Sequence, residues 1–231
     1  MDRAVVLVSG GVNSAVITAI AREQYEPVLL HVGWNHRSAD RELAAFEQLS
    51  AHFGIEKTLA AELPCMAAFG GNSRVSKRLS IEDANTLNQE TPSTFAPGVL
   101  PSMLGLAAAW SGAIKARRIF VGISEGLGGT GPALAQLYPD YRREFVQAFN
   151  LTLRYAFPAK QDILVEAPLV DLSRAEIVRL GLKCEVPYAL TWSCYASGAK
   201  PCGRCLGCVN RALGFSKAGM ADPLFLEPVG A

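Results

Sequence analysis

The chain begins with Ala4-Val5-Val6-Leu7-Val8, a continuous apolar run that stops abruptly at Ser9-Gly10-Gly11. A run with no polar alternation suits a parallel strand buried on both faces, and only a sheet covered by helices on each side offers that environment. The pattern then repeats. Residues 15–23 read as a compact helix and 27–33 as a second buried strand. Residues 38–53 read as an amphipathic helix with Leu43, Phe46, Leu49 and Phe53 on one face, stopped by Gly54. Residues 57–62 are a candidate third strand. Residues 70–97 are polar and rich in Ser, Thr and Asn, as expected of a long loop with function or mobility.

Beyond that loop the alternation resumes. Residues 102–116 predict a helix that is apolar nearly all round and therefore buried. A strand is expected over 118–122, a helix over 141–155, a strand over 162–166 and a helix over 173–180. Ser173 and Glu176 have the spacing of a capping box at the start of that last helix. Repeated strand–helix units predict an α/β fold with a doubly wound, mostly parallel sheet, here assigned to residues 1–190.

Residues 191–231 are expected to form a separate module packed on that domain. It carries Cys194, Cys202, Cys205 and Cys208, spaced C-x7-C-x2-C-x2-C within fifteen residues. Four thiolates so close together can complete a tetrahedral shell around zinc, and four protein ligands leave no open position, so the metal would be structural. An iron–sulfur cluster also accepts four cysteines, and a pair of disulfides is the bland alternative. C-x2-C neighbours are awkward to bridge without strain. Cys65 and Cys184 stand apart and are expected to be buried thiols.

Half of the 231 residues are apolar, enough for a sizeable core, and the formal charge is +1. That near balance argues against a nucleic-acid or anionic-membrane surface as the main partner. No apolar stretch approaches the ~20 residues of a membrane span, and no signal-peptide pattern is present. A cytoplasmic protein is expected.

Ser9-Gly10-Gly11-Val12-Asn13-Ser14 lies where the first strand ends and the first helix begins. Free backbone N–H groups and the helix dipole favour an anion there, two glycines allow close approach, and Ser9 and Ser14 offer hydroxyls. The lysine of a Walker loop is missing. An ordinary glycine turn is the alternative. His31 lies inside an apolar strand and reads as a satisfied core histidine, whereas His36, past the carboxyl end of that strand, is placed to touch a nucleotide. Trp192 and Tyr195 flank Cys194 and suit stacking on a flat heterocycle or packing around the metal. Lys160, Asp171 and Arg174 are assigned solvated or capping roles.

The loop is similar to the S-G-G-x-D-S signature of the PP-loop ATP pyrophosphatases. Within them the chain resembles the 7-cyano-7-deazaguanine synthases, the QueC/ExsB-like family. The likeness runs almost end to end. It includes Thr94-Phe-Ala-Pro-Gly98, Tyr138-Pro-Asp-Tyr-Arg142, Ala167-Pro-Leu-Val-Asp-Leu-Ser-Arg-Ala-Glu-Ile177, Leu190-Thr-Trp-Ser-Cys-Tyr195, Cys202-Gly-Arg-Cys205, Cys208 and Arg211. The resemblance implies an adenine nucleotide alpha hydrolase-like fold and an ATP-dependent ligase acting on 7-carboxy-7-deazaguanine. In that reaction the carboxylate is adenylylated, ammonia displaces AMP to give an amide, and a second ATP drives dehydration to the nitrile. It implies ATP and Mg²⁺ beside the structural Zn²⁺, with Ser9, Asn13 and Ser14 in the chemistry and Ser9–Ser14 around the nucleotide. Phe95, Tyr138, Asp140, Arg142 and Trp192 would hold the substrate. A homodimer is expected.

Three departures from the family pattern fall near the expected ligands. Asn13 replaces the loop aspartate, Val99 stands where the family has the arginine of Pro-Gly-Arg-Asn, and residues 124–137 replace a short stretch with a glycine-rich one. Two alternatives follow. The chain could join the deazaguanine carboxylate to another amine, such as one on a protein, or it could be a non-catalytic nucleobase-binding module. On the sequence alone, Asn13→Asp should leave the fold intact and strengthen metal-assisted nucleotide binding.

Overall fold

Strand β1 (Arg3–Leu7) sends alternate side chains to opposite sides, Ala4 and Val6 into one core, Val5 and Leu7 into another. It can do so because it is the central strand of a sheet with helices on both faces. The computed structural model describes residues 1–87, 90–126 and 134–225. With β2 (Glu26–Gly33), β3 (Thr58–Glu62), β4 (Arg118–Phe120) and β5 (Leu164–Glu166), β1 forms one five-stranded sheet in the order β3-β2-β1-β4-β5. Every neighbouring pair is parallel. The described helices are α1 (Val12–Gln24), α2 (Ala39–His52), α3 (Cys65–Ala68), α4 (Val99–Ile114), α5 (Leu134–Leu137), α6 (Arg143–Ala156), α7 (Arg174–Lys183) and α8 (Leu206–Ala218).

One face of the sheet is closed by α1, α2, α7 and α8, whose Ile17, Phe46, Ile177 and Phe215 meet Val6 and Leu29. The other is closed by α4 and α6, whose Leu104, Ala107, Val146 and Leu153 meet Val5, Leu30 and Ile119. This is the doubly wound arrangement that the alternation implies. The connection after β1 leads outward to β2 on one side while β4 returns on the other. The strand order therefore reverses at β1, and a crevice opens beyond the carboxyl ends of β1 and β4.

Local signals explain where elements start. Ser173 Oγ accepts from the Glu176 N–H while the Glu176 carboxylate accepts from the Ser173 N–H, completing the capping box of α7. His31 Nδ1 lies 2.9 Å from the Val8 carbonyl oxygen, so the buried strand histidine is satisfied.

Two expectations need correction. Helix α4 is apolar all round yet leaves Gly105, Ala109 and Ala113 exposed, because it meets the sheet along the face of Leu104, Ala107, Ala108 and Ser111. The 70–97 loop, expected to be functional or mobile, is packed on the fold: Ser73 and Thr94 are buried, and the Ala84 N–H donates to the Arg204 carbonyl at 2.9 Å. Cys65 is exposed on a short helix at the sheet edge and Cys184 is half-buried, so neither is a core thiol. Helix α8 had no forecast, since its pattern is interrupted by Cys208, Asn210 and Arg211, all turned inward by the module. No helix among the described residues is long and apolar enough to cross a membrane.

Candidate active site at the sheet switch point

The turn between β1 and α1 depends on Gly10. Its φ is +78°, and a Cβ there would stand 2.7 Å from the Glu42 carbonyl oxygen and 2.8 Å from Ala45 Cβ. Glycine at this position therefore serves the close approach of α2 as well as the left-handed backbone. Helix α1 then starts at Val12 after Gly11, with no side-chain cap and no acidic residue in its first turn, so its positive end is left for an anion. Ser9, which is exposed, and Gly11, Val12, Asn13 and Ser14 line a cavity of about 320 Å³. Ser14 Oγ is already engaged, donating to the Gly11 carbonyl at 3.0 Å. Asn13 Nδ2 donates to the Gly122 carbonyl at 2.8 Å and so fastens this turn to the one after β4.

One wall of the cavity is apolar, made by Val32, Trp34, Val99, Leu100 and Met103. The opposite wall is aromatic, made by Phe95, Tyr138, Tyr141, Trp192 and Tyr195. Its rings brace one another. Tyr138 stands edge-on to Phe95 and tilted over Tyr141, with centroids 5.9 and 5.3 Å apart, and its hydroxyl lies 2.6 Å from Thr94 Oγ1. Trp192 lines the cavity while packing on Cys194, Cys205 and Cys208 and donating Nε1–H to the Cys194 carbonyl at 2.9 Å.

Charge enters through residues that the sequence did not single out. Arg74 lies over Trp34 on one side and Tyr195 on the other, 5.0 and 4.8 Å from the ring centroids, and donates to Glu42 Oε1 at 2.9 Å. Burial alone would raise the Glu42 pKa, but Arg74 and His36 outweigh it and hold the carboxyl at about 2. Glu42 also accepts from Ser38 Oγ at 2.7 Å. His36 Nε2 is 3.0 Å from Glu42 Oε2, and the ring stacks on Trp34 with centroids 4.6 Å apart. Burial pushes the His36 pKa down despite Glu42, which leaves the ring neutral. His36, expected at the nucleotide, therefore does not line the cavity, because Trp34 and Glu42 enclose it.

Asp140 and Arg142 part company. Asp140 lines the cavity from the short turn Pro139–Tyr141, and burial pushes its carboxyl up to about 6. Arg142 is exposed at the start of α6 and does not line it. Arg174, expected to be a solvated or capping residue, faces inward instead. Its Nε is shut from solvent without a hydrogen-bond partner, and burial lowers its pKa. A detectable signal existed: an arginine in the first turn of α7 sits at the positive end of a helix dipole, a local conflict of the kind that functional sites tolerate. Glu42 and Arg74 carried no comparable mark. Lys160 is exposed, and Asp171 pairs with Arg143.

Beside the aromatic wall, the four sulfurs of Cys194, Cys202, Cys205 and Cys208 lie within 4.8 Å of one another. Tetrahedral thiolate shells place sulfurs about 3.8 Å apart, so this donor set fits a metal ion. Backbone N–H groups of Ala196 and Cys202 point at Cys194 Sγ, at 3.4 and 3.3 Å, as suits a thiolate. All four thiols are free of disulfides.

The family model described as "Queuosine biosynthesis protein QueC" matches residues 3–219. The chain belongs to the QueC family. The 7-cyano-7-deazaguanine synthase of Chlorobaculum parvum is 35% identical over 227 residues, covering 97% of this chain and 96% of that protein. The synthase of Chlorobium phaeobacteroides strain BS1 is 37% identical, covering 97% of each. That of Koribacter versatilis is 37% identical, covering 98% of this chain and 94% of its own. A solved structure described as a predicted subunit of tRNA methyltransferase from Methanocaldococcus jannaschii is 11% identical with a TM-score of 0.45, covering 79% of this chain and 75% of that one. That likeness carries no weight here.

Within the QueC framework the departures acquire places. Asn13 is the clamp to Gly122, and Val99 is buried against Trp34 and Met66 in the apolar wall. Of the altered segment 124–137, residues 127–133 lie outside the described residues. Ser124, at its start, donates to the Leu172 carbonyl at 2.8 Å.

Proposed function

We propose that this chain is an ATP-dependent carbon–nitrogen ligase that converts 7-carboxy-7-deazaguanine to 7-cyano-7-deazaguanine. The observation that carries this reading is the open N-terminus of α1 facing the same cavity as an aromatic wall and three arginines. A triphosphate, a flat heterocycle and a carboxylate can thus meet in one place. The relatives named for this activity match along nearly their whole length.

A carboxylate is a poor electrophile until its oxygen becomes a good leaving group. ATP supplies that group: the carboxylate oxygen attacks the α-phosphorus, pyrophosphate leaves, and ammonia then displaces AMP from the acyl carbon. A second ATP activates the amide oxygen, and loss of AMP with the amide protons leaves the nitrile. The protein's share is positioning and electrostatics. Backbone N–H groups of Gly11–Ser14 and the Ser9 hydroxyl hold phosphates. The apolar wall takes the adenine, while Phe95, Tyr138 and Trp192 enclose the base. Arg74, fixed by Glu42, and Arg174, which no carboxylate among the described residues pairs with, offer positive charge to the substrate acid and the phosphates. Mg²⁺ would be held chiefly by the phosphates, because Asn13 brings no charge to it. Zn²⁺ in the four-cysteine site would be structural, holding residues 191–231 as a module that carries Trp192 and Tyr195. We read the protein as cytoplasmic and homodimeric.

The test is pyrophosphate release from ATP and Mg²⁺ with ammonia and the carboxylate, followed by mass spectrometry of the base. Release that depends on the carboxylate, with amide and then nitrile appearing, supports the reading. No substrate-dependent pyrophosphate under any condition would leave the binding-module alternative instead, and a mass shift on a co-expressed protein would favour a protein amine as acceptor.

A further inference from the structure

Two carboxylates line the cavity among the described residues, and they differ in kind. Glu42 is saturated by Arg74, Ser38 and His36. Among the described residues no cation pairs with Asp140, and its Oδ1 is shut from solvent without a hydrogen-bond partner. A buried acceptor left unmade costs about 1–3 kcal/mol, so a fold keeps one where something else completes it. The backbone that holds Asp140 is well fixed. It follows Pro139 in a one-turn 3-10 helix, and the rings of Tyr138 and Tyr141 to either side in sequence lie tilted against each other, 5.3 Å between centroids.

The proposed substrate has two unlike ends. Its carboxylate is an anion and would be repelled by Asp140. The edge on the far side of the bicycle carries the ring N–H and the exocyclic amino group, two parallel donors that match the two oxygens of a carboxylate. The cations that line the cavity, Arg74, Arg174 and Arg211, belong to other elements, and Arg211 is already tied to Asp222 and Thr191. We propose that Asp140 determines specificity for a 2-amino-4-oxo heterocycle. On this assignment its carboxylate accepts from the ring N–H and the amino group, and the 7-carboxylate is turned away from it. The assignment rests on the proposed substrate and goes beyond it, because it names the residue that separates guanine-type acids from others. The desolvated carboxylate is an acceptor waiting for donors, consistent with its raised pKa.

The experiment is calorimetry on the metal-loaded full chain with 7-carboxy-7-deazaguanine and with its 2-deamino analogue, for wild type, Asp140→Asn and Asp140→Ala. Wild type should prefer the amino compound by about 10–150-fold, the range of one good bidentate pair. Both variants should bind the two compounds within about threefold of each other, with Mg²⁺–ATP affinity unchanged and a melting temperature equal to or above wild type. A merely structural aspartate would not remove discrimination while leaving stability intact. Retained discrimination in both variants, or a loss of ATP affinity in place of base affinity, overturns the assignment. Equal binding of the two acids by wild type overturns it alone, leaving the substrate standing. Failure of wild type to bind either acid removes the substrate reading and the assignment with it.

Discussion

Asn13 donates its side-chain amide to the Gly122 carbonyl at 2.8 Å, joining the turn after β1 to the turn after β4 across 109 positions of sequence. An aspartate cannot make that bond, because a carboxylate has no hydrogen to give and would face the carbonyl with like partial charge. Asn13→Asp should therefore destabilise the ligand-free protein by about 1–3 kcal/mol. At roughly 2–4 °C per kcal/mol for a chain of this size, the melting temperature should fall by several degrees, whereas Asn13→Gln should fall less. This reverses the expectation of an innocuous exchange. Calorimetric melting of the two variants without nucleotide checks it, and an unchanged midpoint for Asn13→Asp would show that the amide is not a clamp.

Gly10→Ala tests the seat of α2. The new methyl would meet the Glu42 carbonyl oxygen at 2.7 Å on a backbone with φ of +78°. A loss of at least about 2 kcal/mol is expected from the left-handed backbone and the clash together. Because Glu42 moves with α2, affinity for the base should drop as well. A variant that melts and binds like wild type would contradict this account.

Glu42 links the cavity to acid stability. Its folded pKa is about 2 against an ordinary 4.5, so the folded state holds its proton less tightly than the unfolded chain. The resulting stabilisation is fully present above pH 4.5 and is lost as pH falls through about 2. Glu42→Gln should flatten that part of the stability curve. It should also cost about 3–5 kcal/mol near neutrality, because Arg74 is left buried without its counter-ion. Urea melts at pH 3 and pH 7 give both numbers.

Asp140 has the opposite sign. Its folded pKa is about 6 against 3.8, so the folded state takes up the proton first. Stability from this group should rise as pH drops from 7 towards 4, while binding that needs the carboxylate should weaken over the same interval. Arg74, Glu42, Arg174, Tyr138, Tyr141 and Tyr195 line the same cavity. None of these is due to change charge there, given their buried or paired states. Asp140→Asn should abolish both trends. A base-binding profile that is flat from pH 5 to 8 in wild type would count against the assignment of this step to Asp140.

Cys202→Ser should lower bound metal well below one ion per chain and reduce the melting temperature. Since Trp192 and Tyr195 adjoin Cys194, base affinity should fall in parallel. Elemental analysis beside a melting curve decides this, and full metal content in the variant would remove Cys202 from the ligand set.

What could be read in advance depended on how local the cause was. The buried strand at β1, the amphipathic α2 and the Ser173–Glu176 box are set by residues within one or two turns of each other, and each was legible. The glycine turn and the cysteine quartet were legible for the same reason. Glu42 looked like one more charge on a polar helix face. It becomes a buried anion only when residue 74 crosses from a distant loop to meet it. Arg174 left only the mark of a cation in the first turn of α7, and Asp140 was marked only by the resemblance; that each has a side-chain atom shut from solvent without a partner is a product of the fold. The misreading of α4 is the converse case, an apolar pattern that the architecture only half covers.

The Trp192 backbone N–H donates to the Gly10 carbonyl at 2.8 Å, so the turn that ends the first strand is closed by a residue close to the far end of the described chain. On a ribosome these two meet late. The sheet can assemble as its strands emerge, but the aromatic wall must wait until Trp192 and the cysteines behind it have been translated. A nascent chain halted near residue 190 would lack both that fastening and α8, whose Phe215 covers one face of the sheet. The earliest turn of the site is thus completed by one of the last described segments to be made.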